Sequence, residues 1–325
     1  MQPSRQPRKK ADDLETIARR SGRLHRMAAR LPTYMADLRE RPSWIAMFVL
    51  ARIMLFRRLH WHRARPYRAA DTPNRASLFD RVEPQQVVEQ VRSQGIHVGL
   101  VLPEDICAEI LDFTRRETCF GNFDRRLPLD ATQYAEAEVR FGRALLSGHY
   151  FEKVLDCPAA MRVQRDPLLH EVAARYLGDR ARVVSTRLWW SFPSQQASDA
   201  DKNLASQDRY HFDLDDWRMI KFFFYVSGVE PDQGPHVYLR GSHKKRSLRH
   251  QFSPLVGHSA DEVYADYGKD NALTLLGGPG YGFAEDPFGF HMGTVAQRAP
   301  RLMLEVGFGV SPPSRRRFHG EPVIR

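Results

Sequence analysis

The sequence has 325 residues, 42% hydrophobic and 11% aromatic, which is enough for one large domain with an appendage or for two ordinary domains. Three cysteines, at 107, 119 and 157, are too few and too irregularly spaced for a disulfide framework or a thiolate metal site. The net charge of +10 is concentrated in residues 1–75, which hold 18 Lys and Arg against 6 Asp and Glu, whereas the remaining residues hold 31 against 33. The basic character therefore describes an N-terminal appendage and not the main domain.

The basic segment contains two apolar patterns. Apolar residues at 12–31 recur at helical spacing with arginines between them, so we predict a basic amphipathic helix that ends before Pro32. A second apolar stretch, 44–56, contains Arg52 and is too short to span a bilayer. The segment fits either helices packed on the main domain with a solvated basic face, or peripheral contact with an anionic membrane surface. We do not expect nucleic-acid binding, because no aromatic platform or known motif accompanies the charge.

Two prolines mark residues 65–75 as a linker. We therefore predict a basic helical appendage at 1–75 and one main domain at 76–325. The elements predicted in the first half of that domain are, in order, a helix at 83–93, an extended segment at 95–102, a helix from Pro103 and a helix at 167–176.

The second half of the chain is rich in β-forming residues and turn signals. Strands are predicted at 183–192, 220–226, 236–239, 280–283 and 301–306. No helix alternates with these strands, which disfavours a parallel sheet. The predicted fold class is α+β, with a double-stranded β-helix (jelly roll, cupin-like) core behind an N-terminal helical layer.

The stretch 207–217 contains His211 and Asp213 in an H-x-D pattern. On a strand, residues i and i+2 face the same way, so the imidazole and the carboxylate would point to a common place. Two histidines and one carboxylate are the ligands that hold Fe(II) in oxygenases while leaving coordination positions free. A chain of this composition contains about one H-x-D by chance, and the alternative for this pair is a hydrogen-bonded turn.

Two later blocks make the pattern more specific. Residues 234–244 read GPHVYLRGSHK, and residues 286–294 read DPFGFHMGT and are followed by Arg301. Together with the H-x-D, these blocks resemble the phytanoyl-CoA dioxygenase family of Fe(II)- and 2-oxoglutarate-dependent oxygenases. The resemblance runs from residue 82 to residue 308.

The resemblance implies an iron site and a co-substrate site. His211, Asp213 and His291 would bind Fe(II), and Arg301 would hold the distal carboxylate of 2-oxoglutarate in a bidentate pair. We expect the strand that begins at Arg301 to run antiparallel to the strand of His291, which would bring the two side chains close together.

Further residues are candidates for the co-substrate site. Thr294 would supply a hydroxyl that helps hold the carboxylate, although Gly293 occupies the position that matches the family more closely. Phe223 matches a family position beside the co-substrate, and Lys221 and Tyr225 would share its face of the strand. The alternative for Lys221 is a surface lysine that extends its ammonium group into water.

Each assignment has a rival. His243 competes for the place of third iron ligand, although the family uses that position at a structural turn, and Arg298 competes for the role of co-substrate anchor. A basic cluster would either bind an acidic substrate or form a solvated loop; its members are Lys244, Lys245, Arg246 and Arg249.

The resemblance implies Fe(II), 2-oxoglutarate and O₂ as cofactor and co-substrates, and oxidation of a small molecule with release of succinate and CO₂. Halogenating members of the family carry a small residue where this chain has Asp213, so the carboxylate favours hydroxylation of a C–H bond. The identity of the substrate does not follow from a fold. The basic segment hints weakly at a lipid or sugar-type substrate, and Tyr210, Trp217 and Tyr225 fit either a pocket wall or the core.

Two other classes of function remain open at this point. One is a catalytically idle jelly-roll module that binds a metal or ligand, and the other is a membrane-surface interaction protein that acts through residues 1–75. Reduced cysteines and the lack of a secretory signal in the first twenty residues lead us to expect a cytoplasmic protein, with the inner face of a membrane as an alternative location.

Overall fold

The structure is a computed structural model, which describes Met35 and residues 42–65, 67, 76–178, 181–194, 197–198, 208–253 and 257–311. The helix predicted at 12–31 lies outside the described residues. The chain divides into two compact units, Met1–Val49 and Leu50–Arg325, and the domain boundary that we place at residue 75 stays a prediction. None of the helices in the described ranges combines the length and the apolar character needed to cross a membrane.

The helices are short, and proline and glycine mark the ends of several of them. The first helix of the main fold after the basic segment begins with Pro84 and ends at Gly95, whose φ of 88° is the left-handed conformation typical of a helix C-terminus. The described helices are α1 (Pro42–Leu50), α2 (Met54–His62), α3 (Pro84–Gln94), α4 (Glu104–Arg116), α5 (Tyr134–Phe141), α6 (Pro158–Gln164), α7 (Pro167–Leu177), α8 (Leu248–Gln251) and α9 (Ala260–Tyr267). Helices α3 and α7 match the predictions at 83–93 and 167–176 closely.

Helix α2 belongs to the basic segment but packs on the main unit. Its Arg57 is buried, donates to the backbone carbonyl of Trp217 at 2.8 Å and pairs with Asp286 at 3.3 Å. The ring of Trp61 meets Tyr176 edge to face, with 5.1 Å between centroids. This helix therefore packs on the main unit, as the first of the two alternatives expects. Membrane contact by the rest of the segment stays a prediction.

The strands form two antiparallel sheets. Eight strands are ordered β1–β9–β6–β11–β5–β4–β2–β3 and three are ordered β10–β7–β8. Their bounds are β1 (Ile96–Val101), β2 (Cys119–Gly121), β3 (Pro128–Leu129), β4 (Ser147–His149), β5 (Arg182–Ser191), β6 (Met219–Tyr225), β7 (His236–Leu239), β8 (Ala272–Leu275), β9 (Tyr281–Glu285), β10 (His291–Gly293) and β11 (Arg301–Gly309). The five predicted strands correspond to β5, β6, β7, β9 and β11.

The central strands β6 and β11 are buried on both faces, and the two faces differ in chemistry. Phe222, Phe224 and Leu304 pack in one large apolar core together with residues of α3 and α7. The opposite face packs against the three-stranded sheet and carries, besides apolar residues, buried charged side chains such as Lys221 and Glu305. Burying a charged side chain costs free energy, and proteins keep such groups mainly where they are paired or take part in a functional site. We therefore expect a binding site on this polar face.

Candidate metal centre

Two segments distant in sequence are joined by backbone hydrogen bonds at the predicted ligands. The amide of His211 donates to the carbonyl of His291 at 2.8 Å, and the amide of His291 donates back at 2.9 Å. Further along the same pairing, the amide of Asp213 donates to the carbonyl of Pro287 at 2.8 Å. This pairing places the two imidazoles side by side, with ring centroids 4.4 Å apart.

The three predicted iron ligands form one cluster. One ligand atom from each of His211, Asp213 and His291 lies within 4.8 Å of the other two, and Nε2 of His291 is 3.9 Å from Oδ1 of Asp213. His291 is buried, whereas His211 and Asp213 are partly exposed. Two imidazoles and one carboxylate on one side of a common point are the donor set of a facial triad for non-heme Fe(II). The residues present therefore fit this metal.

The remaining ring nitrogens of the two histidines are held by the backbone. Nδ1 of His211 lies 3.2 Å from the carbonyl oxygen of Arg209, and Nδ1 of His291 lies 3.0 Å from the carbonyl oxygen of Gly289. A protonated Nδ1 that donates to a carbonyl leaves the lone pair on Nε2. Both histidines are thus oriented with Nε2 as the metal-binding nitrogen, which is how ligand histidines are commonly fixed.

The protonation states suit a cation. Burial, followed by the nearby His211, lowers the pKa of His291 to about 4, and burial also lowers the pKa of His211. Burial alone would raise the pKa of Asp213, but Lys221 and the two histidines outweigh it and hold this pKa below its ordinary value. At neutral pH the cluster therefore consists of two neutral imidazoles and one carboxylate, the forms that bind a metal.

Lys221 lies next to this cluster and not at the surface. Its side chain is 5% exposed, and its Nζ is 2.7 Å from Oδ2 of Asp213 and 3.7 Å from Oε1 of Glu305. Burial alone would lower the pKa of Lys221, but Asp213 and Glu305 outweigh it and raise this pKa. The ammonium group thus fixes one oxygen of Asp213 and leaves the other facing His291. The alternative of a surface lysine does not hold.

Replacing Lys221 by methionine should destabilise the metal-free protein by about 3 kcal/mol, because breaking a buried ion pair leaves uncompensated carboxylates. Urea unfolding followed by circular dichroism measures this loss. The matched control is Lys153→Met, since Lys153 pairs with Glu117 at 2.8 Å in a partly exposed position, where the expected change is below about 1 kcal/mol. Equal effects of the two substitutions would show that Lys221 does not support the cluster.

The guanidinium of Arg301 is buried, with 4% of the residue exposed. It donates to the carbonyl of Gly234 and, at 3.0 Å, to Oγ of Ser191, while its Nε has no hydrogen-bond partner among the residues that the structure describes. In the described part of the chain no carboxylate lies within 4.0 Å of it. Its rival Arg298 is 56% exposed and already paired with Asp232 at 2.6 Å. Arg301 is therefore the better-placed cation for an anionic ligand.

Arg301 lies close to the strand of His291 as expected, but not through neighbouring antiparallel strands. Its strand β11 pairs with β5 and β6, whereas the strand of His291, β10, pairs with β7. The two strands belong to different sheets and are not hydrogen-bonded neighbours. The guanidinium nevertheless lies close to β10, since its Nη2 is 3.8 Å from the position that a Cβ atom on Gly293 would occupy. The approach comes from the stacking of two sheets and not from adjacent strands.

Phe223 and an unpredicted histidine line the space between the triad and Arg301. The ring of His236 stacks on Phe223 at 5.6 Å and on His291 at 5.5 Å between centroids. Its Nε2 lies 2.9 Å from Oε2 of Glu285. Burial, followed by Arg301, lowers the pKa of His236 to about 3, and burial raises the pKa of Glu285 to about 7. The imidazole of His236 is therefore neutral and lies beside Phe223 and His291.

Sequence reasoning passed over His236, Glu285 and Ser191. His236 stands inside the block 234–244, and its place at the start of a strand was the available signal. Ser191 is opposite Arg301 in the β5–β11 register, which only the strand pairing reveals. The hydroxyl of Thr294 donates to the carbonyl of Pro235 at 2.8 Å, so it is engaged with the backbone.

The other sequence candidates lie outside the cluster. His243 has its Nε2 3.2 Å from the carbonyl of Arg92 and is not grouped with the triad. The expectation of a solvated basic loop is wrong for Arg246, which is buried with its guanidinium 3.9 Å from the ring centroid of Phe212. Burial lowers the pKa of this arginine to about 9. Lys244, Lys245 and Arg249 are exposed.

The aromatic candidates are divided between the core and the site. Trp217 packs against the large apolar core. Tyr210 is buried with its hydroxyl 3.0 Å from that of Tyr264. Tyr225 lies on the site face of β6, with its ring 5.7 Å from the guanidinium carbon of Arg301.

No protein-family model matches the chain, and no curated protein matches it. Similar solved structures include non-heme iron and 2-oxoglutarate-dependent enzymes. The epimerase SnoN in complex with Fe³⁺, alpha ketoglutarate and nogalamycin RO aligns with a TM-score of 0.50 and 14% identity, covering 74% of this chain and 96% of SnoN. EctD from S. alaskensis with bound Fe aligns with a TM-score of 0.49 and 16% identity over 80% of this chain and 90% of EctD. HygX from Streptomyces hygroscopicus with nickel and 2-oxoglutarate bound has a TM-score of 0.48 and 14% identity, covering 71% of this chain and 88% of HygX. At these identities the likeness to SnoN concerns the fold alone: this chain has the fold of an enzyme that holds iron and alpha ketoglutarate.

Proposed function

We propose that this chain is an Fe(II)- and 2-oxoglutarate-dependent oxygenase that hydroxylates a C–H bond of a small molecule. The observation that carries the proposal is the convergence of His211, Asp213 and His291 from distant segments. The buried guanidinium of Arg301 lies nearby and pairs with no carboxylate among the described residues. The shared fold with SnoN supports it. The motif blocks at 234–244 and 286–294 support membership of the phytanoyl-CoA dioxygenase family.

We also propose that the two antiparallel sheets form a double-stranded β-helix. Supporting observations are the polar face of β6 and β11, which packs against the three-stranded sheet, and the position of the triad between the sheets. In such a fold, side chains on the inner faces build the site while the helical layer covers the outer face of the large sheet.

The roles of the residues follow from their positions. His211, Asp213 and His291 would hold Fe(II), which together with 2-oxoglutarate supplies the O₂-dependent oxidation, giving succinate, CO₂ and a hydroxylated product. Arg301, with the hydroxyl of Ser191, would bind the distal carboxylate of 2-oxoglutarate in a site closed to water. Lys221 holds Asp213 in its ligand orientation.

The exposure of the ligands indicates where a substrate would enter. His291 is buried behind the paired strands, whereas His211 and Asp213 are partly open to solvent. We therefore place the substrate on the side of residues 208–216. The carboxylate at position 213 fills the place that a halide would need, which is why we propose hydroxylation. The identity of the substrate stays open.

The proposal is tested by adding Fe(II) and 2-oxoglutarate to the metal-free full chain without O₂. A weak visible charge-transfer band should form, and admission of O₂ should release succinate slowly even without substrate. Asp213→Asn should lose both signals, whereas Asp112→Asn, which removes the same charge from an exposed ion pair with Arg115 in α4, should keep them.

Three outcomes separate the alternatives. A band without any succinate, with or without a screened metabolite pool, would indicate the idle binding module. No band at all, or a band of equal strength in Asp213→Asn, would contradict an iron centre at these residues. Succinate release that increases with one metabolite fraction would lead to the substrate.

A further inference from the structure

A second cluster of metal-binding side chains lies outside the proposed iron centre. It consists of His250 in α8, His258, and Glu262 in the first turn of α9, and one ligand atom of each lies within 4.8 Å of the other two. Oε1 of Glu262 is 3.4 Å from Nε2 of His250 and 3.2 Å from Nδ1 of His258. The two rings are 4.5 Å apart between centroids.

Both imidazoles are buried and incompletely satisfied. The side chains of His250 and His258 are almost fully buried. Within the described ranges, Nε2 of His258 has no hydrogen-bond partner, and Nε2 of His250 has only the Glu262 carboxylate at 3.4 Å, outside hydrogen-bond geometry. Buried polar atoms nearly always form hydrogen bonds, so two buried ring nitrogens without one in the same cluster point to a missing ligand. Among the described residues, this is the one group besides the proposed iron ligands that has the composition and spacing of a metal site.

The surroundings of His250 resemble those of a metal ligand. Its Nδ1 lies 2.9 Å from Oγ of Ser247, 3.1 Å from the hydroxyl of Tyr267 and 3.3 Å from Oδ2 of Asp266. A proton on Nδ1 shared with these acceptors leaves the lone pair on Nε2, which faces Glu262. A carboxylate behind a histidine is a common support of zinc ligands.

The charge state also favours a cation. Burial, followed by His258, lowers the pKa of His250 to about 4, and burial lowers the pKa of His258. Glu262 has a lowered pKa because the two histidines and Arg249 outweigh the effect of its burial. Both imidazoles are therefore neutral at physiological pH and Glu262 is ionised. No proton has to leave before a metal binds.

We propose that His250, His258 and Glu262 form a second metal site for a Zn(II)-like divalent cation, separate from the iron centre. Two imidazoles and one glutamate with water in the fourth position are a known zinc donor set. Glu262 is partly exposed, so the fourth position would face solvent.

A metal at this second site would stabilise the two segments that carry the proposed iron ligands. Phe290, which precedes His291, packs its ring against both His250 and His258, at 5.1 and 5.6 Å between centroids. His258 also forms a two-way backbone pair with Tyr210, at 3.0 and 2.8 Å, next to His211. A cation here would join α8 and α9 to both ligand-bearing segments.

The test uses the full chain with His211→Ala and Asp213→Ala, which removes the proposed iron centre. The metal-free double variant is titrated with Co(II), whose visible bands report tetrahedral coordination, and then with Zn(II). We expect one equivalent of Co(II) to bind, to be displaced by Zn(II), and to raise the melting temperature.

Variants at the second cluster make the result decisive. Adding Glu262→Gln or His258→Asn should weaken Zn(II) binding by about tenfold or more. Asp261→Asn, which removes the same charge from the same exposed helical turn, should leave it unchanged. The proposal fails if the double variant binds no metal, or if folded Glu262→Gln binds Zn(II) as tightly as Asp261→Asn. Neither result bears on the iron centre, which is absent from this background.

Discussion

Alanine at His291 should reduce Fe(II) affinity by about 100-fold or more, because even outer partners of a metal ligand contribute 10- to 100-fold. His291 supplies Nε2 to a cluster in which the other two donors come from a different segment. The measurement is anaerobic Fe(II) titration of the metal-free protein, followed by the charge-transfer band with 2-oxoglutarate. Succinate release should be lost together with metal binding.

His243→Ala is the matched control, since His243 is also a buried histidine but bonds to the carbonyl of Arg92. Its variant should bind Fe(II) like the parent chain once correct folding is verified by circular dichroism. The opposite ranking, with His243→Ala losing iron and His291→Ala keeping it, would move the third ligand to His243 and overturn the proposed centre.

Replacing Arg301 by alanine should weaken 2-oxoglutarate binding by about 100-fold without changing Fe(II) affinity. Removing one partner of a buried, hydrogen-bonded charge pair costs about 2 to 5 kcal/mol, and about 2.7 kcal/mol corresponds to a factor of 100. Arg301→Lys should lose about tenfold, because an ammonium group cannot form the bidentate pair. Titration of the Fe(II)-loaded protein with 2-oxoglutarate, read by the same visible band, gives both values.

Arg298→Ala is the control for Arg301, because Arg298 lies at the surface and pairs with Asp232 and Glu230. It should leave 2-oxoglutarate affinity unchanged. If Arg301→Ala binds 2-oxoglutarate normally while Arg298→Ala does not, the co-substrate carboxylate lies elsewhere, and the buried guanidinium is a structural group bound to Gly234 and Ser191.

The local elements could be predicted because the sequence carries their signals. Helix α3 begins at a proline and ends at a glycine, and the strands are runs of β-formers between turns. His211 and Asp213 were predicted to share one side of a strand. They do meet in the cluster, but His211 forms only an isolated bridge with His291, and the backbone bond of Asp213 to Pro287 supplies the rest. The clustering of His291 with this pair, as the resemblance implied, is seen in the structure.

Features that depend on strand pairing could not be predicted. The sheet to which β11 belongs is decided by tertiary partners. The expected closeness of Arg301 to the strand of His291 is found, but it does not come from neighbouring antiparallel strands. Ser191 and Glu285 became visible only through register, since nothing in their own neighbourhood distinguishes them. Arg246 follows two exposed lysines, and its burial against Phe212 comes from packing that local charge does not report.

The contact between Arg57 and Asp286 has a practical consequence for anyone shortening this protein. Asp286 accepts from the amide of Phe288 at 2.9 Å and from the hydroxyl of Tyr176 at 2.8 Å, and so shapes the turn that leads into His291. A chain trimmed to start after the basic segment would lack Arg57 and would leave the buried carboxylate of Asp286 without this ion pair. A version meant for crystals or assays should therefore retain residue 50 onward, although charge alone would suggest discarding everything before residue 76.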